Sequence, residues 1–138
     1  MMIVVDANLL VALVSGDPRG SLVLQHFTDW LDRNVELHAP FLAQYEVANA
    51  LARLIVGGAF RADKVEKAWD DISILPIQYH DLADAKRVVD VALALNRKNA
   101  YDAAYIVLAE RQGSELWTLD GPLYRNARGL GFPVQIVS

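Results

Sequence analysis

The sequence contains no cysteine, and this absence removes several classes of site at once. Disulfides, zinc held by thiolates, iron–sulfur clusters and thiol nucleophiles all need cysteine side chains. The chain also has no stretch approaching the roughly 20 apolar residues that a membrane-spanning helix needs. No basic leader precedes Asp6, which interrupts the first apolar run, so we expect no export signal. We therefore expect a cytoplasmic protein with no membrane partner.

The chain has no excess of positive charge, which bears on its partners. It carries 13 basic and 17 acidic residues, for a formal net charge of −4. Taken alone, this balance argues mildly against a nucleic-acid partner. The objection weakens if four acids bind metal, because 13 acidic residues would then remain against 13 basic ones. The length of 138 residues suits one domain, residues 1–138, and the hydrophobic share of 54% hints at a partner surface.

Short apolar runs alternate with helical stretches along the chain. The runs predict strands at 3–5, 36–39 (stopped by Pro40), 74–79 (with Pro76 marking an edge or an entry), 116–119 and 134–137. Helical spacing predicts helices at 8–14, 21–34, 41–56, 62–72, 81–96, 101–112 and 122–128. This alternation predicts an α/β fold, with a central, mostly parallel sheet flanked by helices. Ligands of such sheets bind beyond the carboxyl ends of the strands.

Two acidic residues directly follow predicted strands. Asp6 follows the first strand, and Asp120 follows the 116–119 strand, so both lie where an α/β sheet presents side chains to a ligand. Both also have a purely structural interpretation. Asp6 or Asn8 would cap the next helix, and Asp120 with Gly121 would form a turn that caps the helix after it.

A third acid, Glu46, lies inside the predicted 41–56 helix. Helical spacing predicts a core face on this helix made of Leu42, Tyr45, Ala48, Leu51 and Ile55. Glu46 lies on a separate polar stripe with Asn49 and Arg53, flanked by small and apolar residues. A lone Glu on such a stripe is usually solvated, so Glu46 by itself has no assigned role.

The fourth acid, Asp102, lies near the start of the predicted 101–112 helix. Asn99 and Asp102 have the spacing of a capping box, which would explain Asp102 without a function. The rest of this helix is apolar on nearly every face, so we expect a central helix that holds Asp102 rigidly. Four clustered carboxylates would repel one another unless a cation neutralised them. An all-oxygen cluster suits Mg²⁺ or Mn²⁺.

Histidines and tryptophans take no part in this predicted site. His26, His38 and His80 show no spacing typical of metal ligands, so we expect structural roles for all three. The three tryptophans are expected in the core or at an interface.

Four short motifs around these acids, in order and at suitable spacing, resemble the PIN-domain ribonucleases, and specifically the VapC-type toxins of toxin–antitoxin modules. They are Val5-Asp6-Ala7-Asn8, Glu46-Val47-Ala48-Asn49-Ala50-Leu51, Tyr101-Asp102-Ala103-Ala104-Tyr105 and Thr118-Leu119-Asp120. The resemblance covers essentially the whole chain and implies a PIN-like fold. It also implies endoribonuclease activity with Mg²⁺ or Mn²⁺, an RNA substrate, a homodimer and a VapB-like antitoxin.

The resemblance implies roles for individual residues. Asp6 and Asp102 would bind the metal directly, while Glu46 and Asp120 would bind through water or orient the nucleophile. Asn8 and Thr118 would support these ligands or contact a phosphate, although Thr118 is equally typical of an ordinary strand. RNA binding needs positive charge near the acids, and the basic residues nearest to them along the chain or on the Glu46 stripe are Arg53, Arg97, Lys98 and Arg125.

Other functions are compatible with parts of the pattern. A receiver-like signalling domain would need adjacent acids after the first strand and a Lys after the last, and the chain has neither. A housekeeping PIN-domain RNA-processing nuclease and a non-catalytic RNA-binding PIN module both remain as alternatives. The short chain favours the toxin, and the complete set of four acids favours catalysis.

Overall fold

A single sheet of five strands forms the centre of the computed structural model, which describes residues 1–138. The strands are β1 (Met2–Val5), β2 (Glu36–Pro40), β3 (Ile77–His80), β4 (Leu116–Thr118) and β5 (Val134–Ile136). They lie in the order β3-β2-β1-β4-β5, and every neighbouring pair is parallel. The predicted α/β fold with a central parallel sheet is therefore confirmed.

Seven helices flank the sheet. They are α1 (Ala7–Val14), α2 (Gly20–Asp32), α3 (Leu42–Val56), α4 (Val65–Ser73), α5 (Ala85–Ala94), α6 (Tyr101–Gln112) and α7 (Gly121–Gly129), with one turn of 3₁₀ helix at Ala62–Lys64 before α4. None of these helices combines the length and the apolarity that crossing a membrane requires. The bounds of α6 agree with the prediction, because Gly113 takes a left-handed conformation (φ 62°) that ends the helix.

Strand β1 is the middle of the sheet and the middle of the core. Val4 and Val5 are fully buried, and the buried hydrophobic residues of the chain form one continuous cluster around them. Helix α6 packs across β1, β2 and β4, while α1 packs against α2, α3 and α4. Burying a side chain of this size stabilises the fold by about 1.5–3 kcal/mol, so β1 is a rigid support for whatever follows it.

The strand order reverses beside β1, and this reversal positions the acids that follow β1 and β4. The chain builds β1, β2 and β3 towards one edge, then returns to the other side of β1 with β4 and β5. Such a reversal opens a crevice at the carboxyl ends of the two strands between which it occurs. Val5 pairs with Trp117, and the Asp6 N–H donates to the Trp117 carbonyl at 3.0 Å. Asp6 and Asp120 therefore border the same crevice.

Some predicted boundaries differ from the structure for local reasons. Strand β3 begins at Ile77 and not at residue 74, because Pro76 has no N–H to donate to a ladder. Helix α5 begins at Ala85 and not at residue 81, because Asp84 caps it by accepting from the Arg87 N–H at 3.0 Å. Pro40 is the last residue of β2, where it pairs with His80, and not the residue after the strand.

The predicted core face of α3 was only partly right: Leu51 is buried and Leu42 packs against the core as predicted, but Tyr45 and Ala48 are exposed. The buried residues of α3 are Ala43, Val47 and Leu51, whereas Tyr45 is 75% exposed. Small side chains on this face allow α3 to approach α1 closely. Glu46 precedes Val47 directly and is half-buried, so it lies at the margin of the core and not on a fully solvated stripe.

Candidate active site

Asp6 occupies the capping position of α1 without acting as a cap. Its side chain makes no capping hydrogen bond, and it is only 8% exposed. It accepts a hydrogen bond from the Thr118 hydroxyl at 2.9 Å, and the Asn8 amide lies at 3.4 Å. The structural explanation of Asp6 as a helix cap is therefore removed, and a buried carboxylate remains at the strand end.

Thr118 connects the ends of β1 and β4 through its buried hydroxyl. Besides donating to Asp6, Oγ1 accepts from the Asn8 amide and from the Asp120 backbone N–H, both at 3.0 Å. Asn8 completes the connection by accepting from the Leu119 N–H at 3.2 Å. Thr118 and Asn8 thus hold Asp6 in one orientation and fix the start of the Asp120 turn.

Asp120 does cap a helix, as its structural interpretation predicted. Its Oδ1 accepts from the Leu123 N–H at 3.0 Å at the start of α7. The side chain is half-buried, and its charge acts on Asp102 across the crevice. Asp120 therefore combines a structural role with a contribution to the local negative charge.

Glu46 is held by a residue to which the sequence analysis gave no role. The Tyr105 hydroxyl donates to Glu46 Oε1 at 2.5 Å, and Tyr105 is fully buried on α6. Burial and the charges of Asp6 and Glu46 raise the pKa of Tyr105, so its phenol keeps its proton and stays a donor. The sequence signal for Tyr105 was its position three residues after Asp102, since that spacing puts both side chains on one face of α6.

Asp102 lies in the first turn of α6, but the predicted capping box does not form. Ala100 occupies the capping position without a side-chain bond, and Asn99 accepts from the Tyr101 N–H at 3.3 Å instead. Arg97 Nη1 lies 4.0 Å from Asp102 Oδ2. Asp102 is half-buried, with one basic neighbour at the mouth of the crevice.

Three of the acids influence one another's protonation. Burial, opposed by the Thr118 hydrogen bond, raises the pKa of Asp6 from 3.8 to about 7, and the charges of Asp102 and Glu46 add to the rise. Burial also raises the pKa of Glu46 above its ordinary value, with the charge of Asp102 adding to the effect. For Asp102, burial raises the pKa, Arg97 opposes the rise and Asp120 adds to it. A bound cation would remove this repulsion.

The four acids have the donor chemistry of a Mg²⁺ or Mn²⁺ site without the assembled geometry of one. No group of three or more His, Asp or Glu side chains is placed to hold one ion, so the predicted four-carboxylate metal cluster is not assembled in this conformation. The donor chemistry nevertheless fits, because Mg²⁺ keeps several waters and is commonly held by one or two carboxylates. The repulsion among Asp6, Glu46 and Asp102 points to the same class of ion.

The predicted basic residues lie at different distances from the acids. Arg97 approaches Asp102, as described above. Arg125 packs against Gly121, the residue after Asp120, with its Nη1 3.0 Å from where a Cβ on Gly121 would stand. Arg53 and Lys98 are exposed, and neither forms an ion pair with the acids. Among the predicted basic residues, only Arg97 lies within 4.0 Å of one of the acids.

Comparisons with known proteins identify relatives over most of the chain. A family model described as the PIN domain matches residues 3–129. A Ribonuclease VapC3 of Pyrobaculum aerophilum is 35% identical over 130 residues, which cover 89% of this chain and 92% of the relative. A Ribonuclease VapC3 of Mycobacterium tuberculosis is 31% identical over 127 residues, which cover 89% of this chain and 85% of the relative.

Two solved structures share the fold. The crystal structure of PAE2754 from Pyrobaculum aerophilum superposes with a TM-score of 0.69 at 22% identity, over 99% of this chain and 84% of that one. VapBC2 from Rickettsia felis, solved with a DNA fragment from its promoter, gives a TM-score of 0.70 at 12% identity over the whole of both chains. At these identities the likeness establishes the fold alone.

Replacing Thr118 tests the connection between the two strand ends. We expect Thr118→Val to lower the free energy of unfolding by about 1–3 kcal/mol, because it leaves the Asp120 N–H and the Asn8 amide without their acceptor. Urea denaturation at neutral pH measures the change. Thr118→Ser keeps the hydroxyl and is the matched control, with a loss of about 1 kcal/mol or less. Equal stability of the two variants would refute the connection.

The raised pKa of Asp6 predicts a pH-dependent stability of the metal-free protein. Between the unfolded pKa near 3.8 and the folded pKa of about 7, the folded state keeps a proton that the unfolded state loses. The free energy of unfolding therefore falls as the pH rises through this window, by on the order of 3–4 kcal/mol.

Denaturation with EDTA between about pH 4 and pH 8 measures this loss. We expect Asp6→Asn, which mimics the protonated side chain, to be relatively more stable than the unmodified chain at the upper end of the range. Asp70→Asn, on the exposed face of α4, is the control and should follow the unmodified chain. A constant difference between Asp6→Asn and the unmodified chain across the range would contradict the burial of a charged Asp6.

Proposed function

Because this chain belongs to the PIN-domain family and is related to VapC ribonucleases over most of its length, we propose that it is an endoribonuclease that depends on Mg²⁺ or Mn²⁺ and acts as the toxin of a toxin–antitoxin module. One observation carries the proposal beyond family membership. Asp6 is buried at the switch point of the sheet, caps no helix, and has its pKa raised by burial and by the charges of Asp102 and Glu46. Such an arrangement costs stability, and a cation site accounts for it.

The proposed role of each acid follows from the contacts that hold its side chain. Asp6 and Asp102 are the proposed direct ligands, because Asp6 is fixed by Thr118 and Asn8 while Asp102 projects from a central helix. A Mg²⁺ or Mn²⁺ ion held there would supply Lewis-acid activation of water and of the phosphodiester. Asp120 uses Oδ1 as a cap, which suits a supporting role.

Glu46 is proposed to orient the attacking water. Tyr105 occupies Oε1, so Oε2 is the atom left to accept a hydrogen bond from that water and then its proton. Burial raises the pKa of Glu46, and a raised pKa makes a carboxylate a better base near neutral pH. Tyr105 prevents Glu46 from rotating away and is therefore a positioning residue.

The proposed substrate is RNA, held by basic residues at the rim of the acidic crevice. Arg97, which lies 4.0 Å from Asp102, and Arg125, which packs against the residue after Asp120, are the proposed contacts to phosphates near the scissile bond. Arg53 and Lys98 are exposed and are proposed to contact other phosphates. Because these contacts are electrostatic, RNA binding should weaken as the salt concentration rises.

The proposed partners are a VapB-like antitoxin and a second copy of the chain. Relatedness to VapC proteins supports both, and the surface supports them independently. Large apolar side chains are exposed, and three of them, Phe41, Leu82 and Tyr101, line one groove. Clustered exposed apolar side chains are typical of surfaces that bind other proteins. A cytoplasmic location, where RNA substrates and an antitoxin would be available, completes the proposal.

The catalytic proposal is tested by RNA cleavage with purified protein and Mn²⁺. We expect Asp102→Asn to slow cleavage by roughly 100-fold or more, because it removes a charged ligand from the site. Asp70→Asn changes the net charge equally on the exposed face of α4 and should cleave normally. Cleavage that continues in EDTA, or equally fast cleavage by Asp102→Asn, would refute a metal-dependent nuclease.

The toxin role is tested by induced expression in a bacterial host. Expression of the intact chain should arrest growth, whereas Asp102→Asn should not, at matched protein levels. A housekeeping nuclease would cleave RNA without arresting growth, so this result together with the cleavage assay separates the two functions.

A further inference from the structure

Three polar side chains outside the acidic crevice converge at one partly buried point, which we call the histidine cluster: His38, His80 and Gln112. His38 lies on β2, His80 ends the neighbouring strand β3, and Gln112 ends α6. His38 Nδ1 lies 2.8 Å from His80 Nε2. Gln112 Nε2 lies 3.1 Å from the first of these atoms and 3.4 Å from the second. The proposed nuclease activity uses none of these residues.

The separations within the histidine cluster match those of atoms that share one metal ion. Two ligand atoms about 2.0–2.1 Å from one ion, at angles of about 90–109°, lie about 2.8–3.4 Å apart. The three measured distances, 2.8, 3.1 and 3.4 Å, all fall in this interval. His38 Nδ1, His80 Nε2 and Gln112 Nε2 therefore form a triangle with the dimensions of one face of a coordination shell.

A hydrogen bond between the two imidazoles explains only part of this geometry. The N–H of one ring would donate to the nitrogen of the other ring. The Gln112 amide N–H could then donate only to that same acceptor nitrogen, which is already occupied. Gln112 Oε1 would stay buried with no hydrogen-bond partner, which is the state found here. Because the two ends of an amide have nearly the same shape, Gln112 can turn its oxygen towards the two rings in the same space.

The surroundings of His38 support a metal ligand. His38 is 4% exposed, and its Nε2, which has no hydrogen bond of good geometry, lies 3.4 Å from Glu36 Oε1. Glu36 in turn accepts from Gln78 Nε2 at 3.2 Å. Metal-bound histidines commonly direct their second ring nitrogen at a carboxylate that is itself hydrogen-bonded. Glu36 and Gln78 reproduce this arrangement.

The outer side of the histidine cluster opens into a groove, so that an ion and water can reach it. His80 and Gln112 line this groove, which has a volume of about 560 Å³ and is bordered by Phe41, Tyr101 and Arg111.

We propose that His38, His80 and Gln112 form a second metal site, which takes a divalent transition-metal ion of the Zn²⁺ class and completes its shell with water from the groove. Two imidazoles select Zn²⁺, Ni²⁺ or Co²⁺ over Mg²⁺, which prefers oxygen ligands and water. The ion would tie β2 and the edge strand β3 to the carboxyl end of α6. Asp102 and Tyr105 lie on the same helix, so the site would stabilise the element that carries them.

Imidazole nitrogen NMR of the full chain with Mg²⁺ in excess tests this site. We expect Zn²⁺ to shift the resonances of His38 Nδ1 and His80 Nε2 at one equivalent. His26, which packs between Trp30 and Trp117, is the internal control and should not shift. The same shifts should appear in Asp102→Asn, so this result does not depend on the proposed nuclease activity. Unchanged resonances of His38 and His80 would overturn the proposal.

Variants of the histidine cluster provide a second, quantitative test by Co²⁺ and Zn²⁺ titration. We expect His80→Ala to weaken binding by at least about 10–100-fold and Glu36→Gln by a smaller factor. Gln112→Glu places a carboxylate beside two imidazoles and should tighten Zn²⁺ binding, a gain that damage to the fold cannot imitate. Affinity unchanged in His80→Ala, or not increased in Gln112→Glu, would refute the assignment.

Discussion

The hydrogen bond from Thr118 to Asp6 joins the two strand ends on which the candidate active site depends. It exists because β1 and β4 are neighbours across the reversal of the sheet, where Val5 pairs with Trp117. A carboxylate at this position is removed from water by the core beneath it, and the hydrogen bonds from Thr118 and Asn8 offset only part of that cost. The same hydroxyl accepts from the Asp120 N–H, so the orientation of Asp6 and the start of α7 are set together. The unfavourable charge of Asp6 is the feature that cation binding would relieve.

Much of this fold was predictable because several elements carry strong local signals. The β-branched run of β1 and the glycine that ends α6 each have a single favoured structure. The placement of Asp6 and Asp120 at strand ends followed from these elements and from the parallel sheet. The face of α3 was not predictable in this way, since apolar residues occur on two sides of it. Only the approach of α1 decides that Val47 is buried and Tyr45 exposed.

The parts of the site that were missed depend on contacts between distant segments. Tyr105 was visible as a neighbour of Asp102 on α6, but its bond to Glu46 depends on how α3 and α6 approach each other. His38 and His80 are 42 residues apart in the chain, and no spacing rule connects them. The register of β2 against β3 brings them together, and the length of α6 brings Gln112 to the same point. The sequence analysis therefore expected structural roles for His38 and His80 and did not predict the contact between them.

The acids around Asp6 are proposed to hold a divalent cation that catalyses RNA cleavage. A crystal structure of the protein soaked with Mn²⁺ tests this directly, because anomalous scattering locates the ion without reference to activity. We expect an anomalous peak within bonding distance of the Asp6 and Asp102 carboxylates, with Glu46 still held by Tyr105. Protein that cleaves RNA with Mn²⁺ but shows no peak between Asp6 and Asp102 would contradict it.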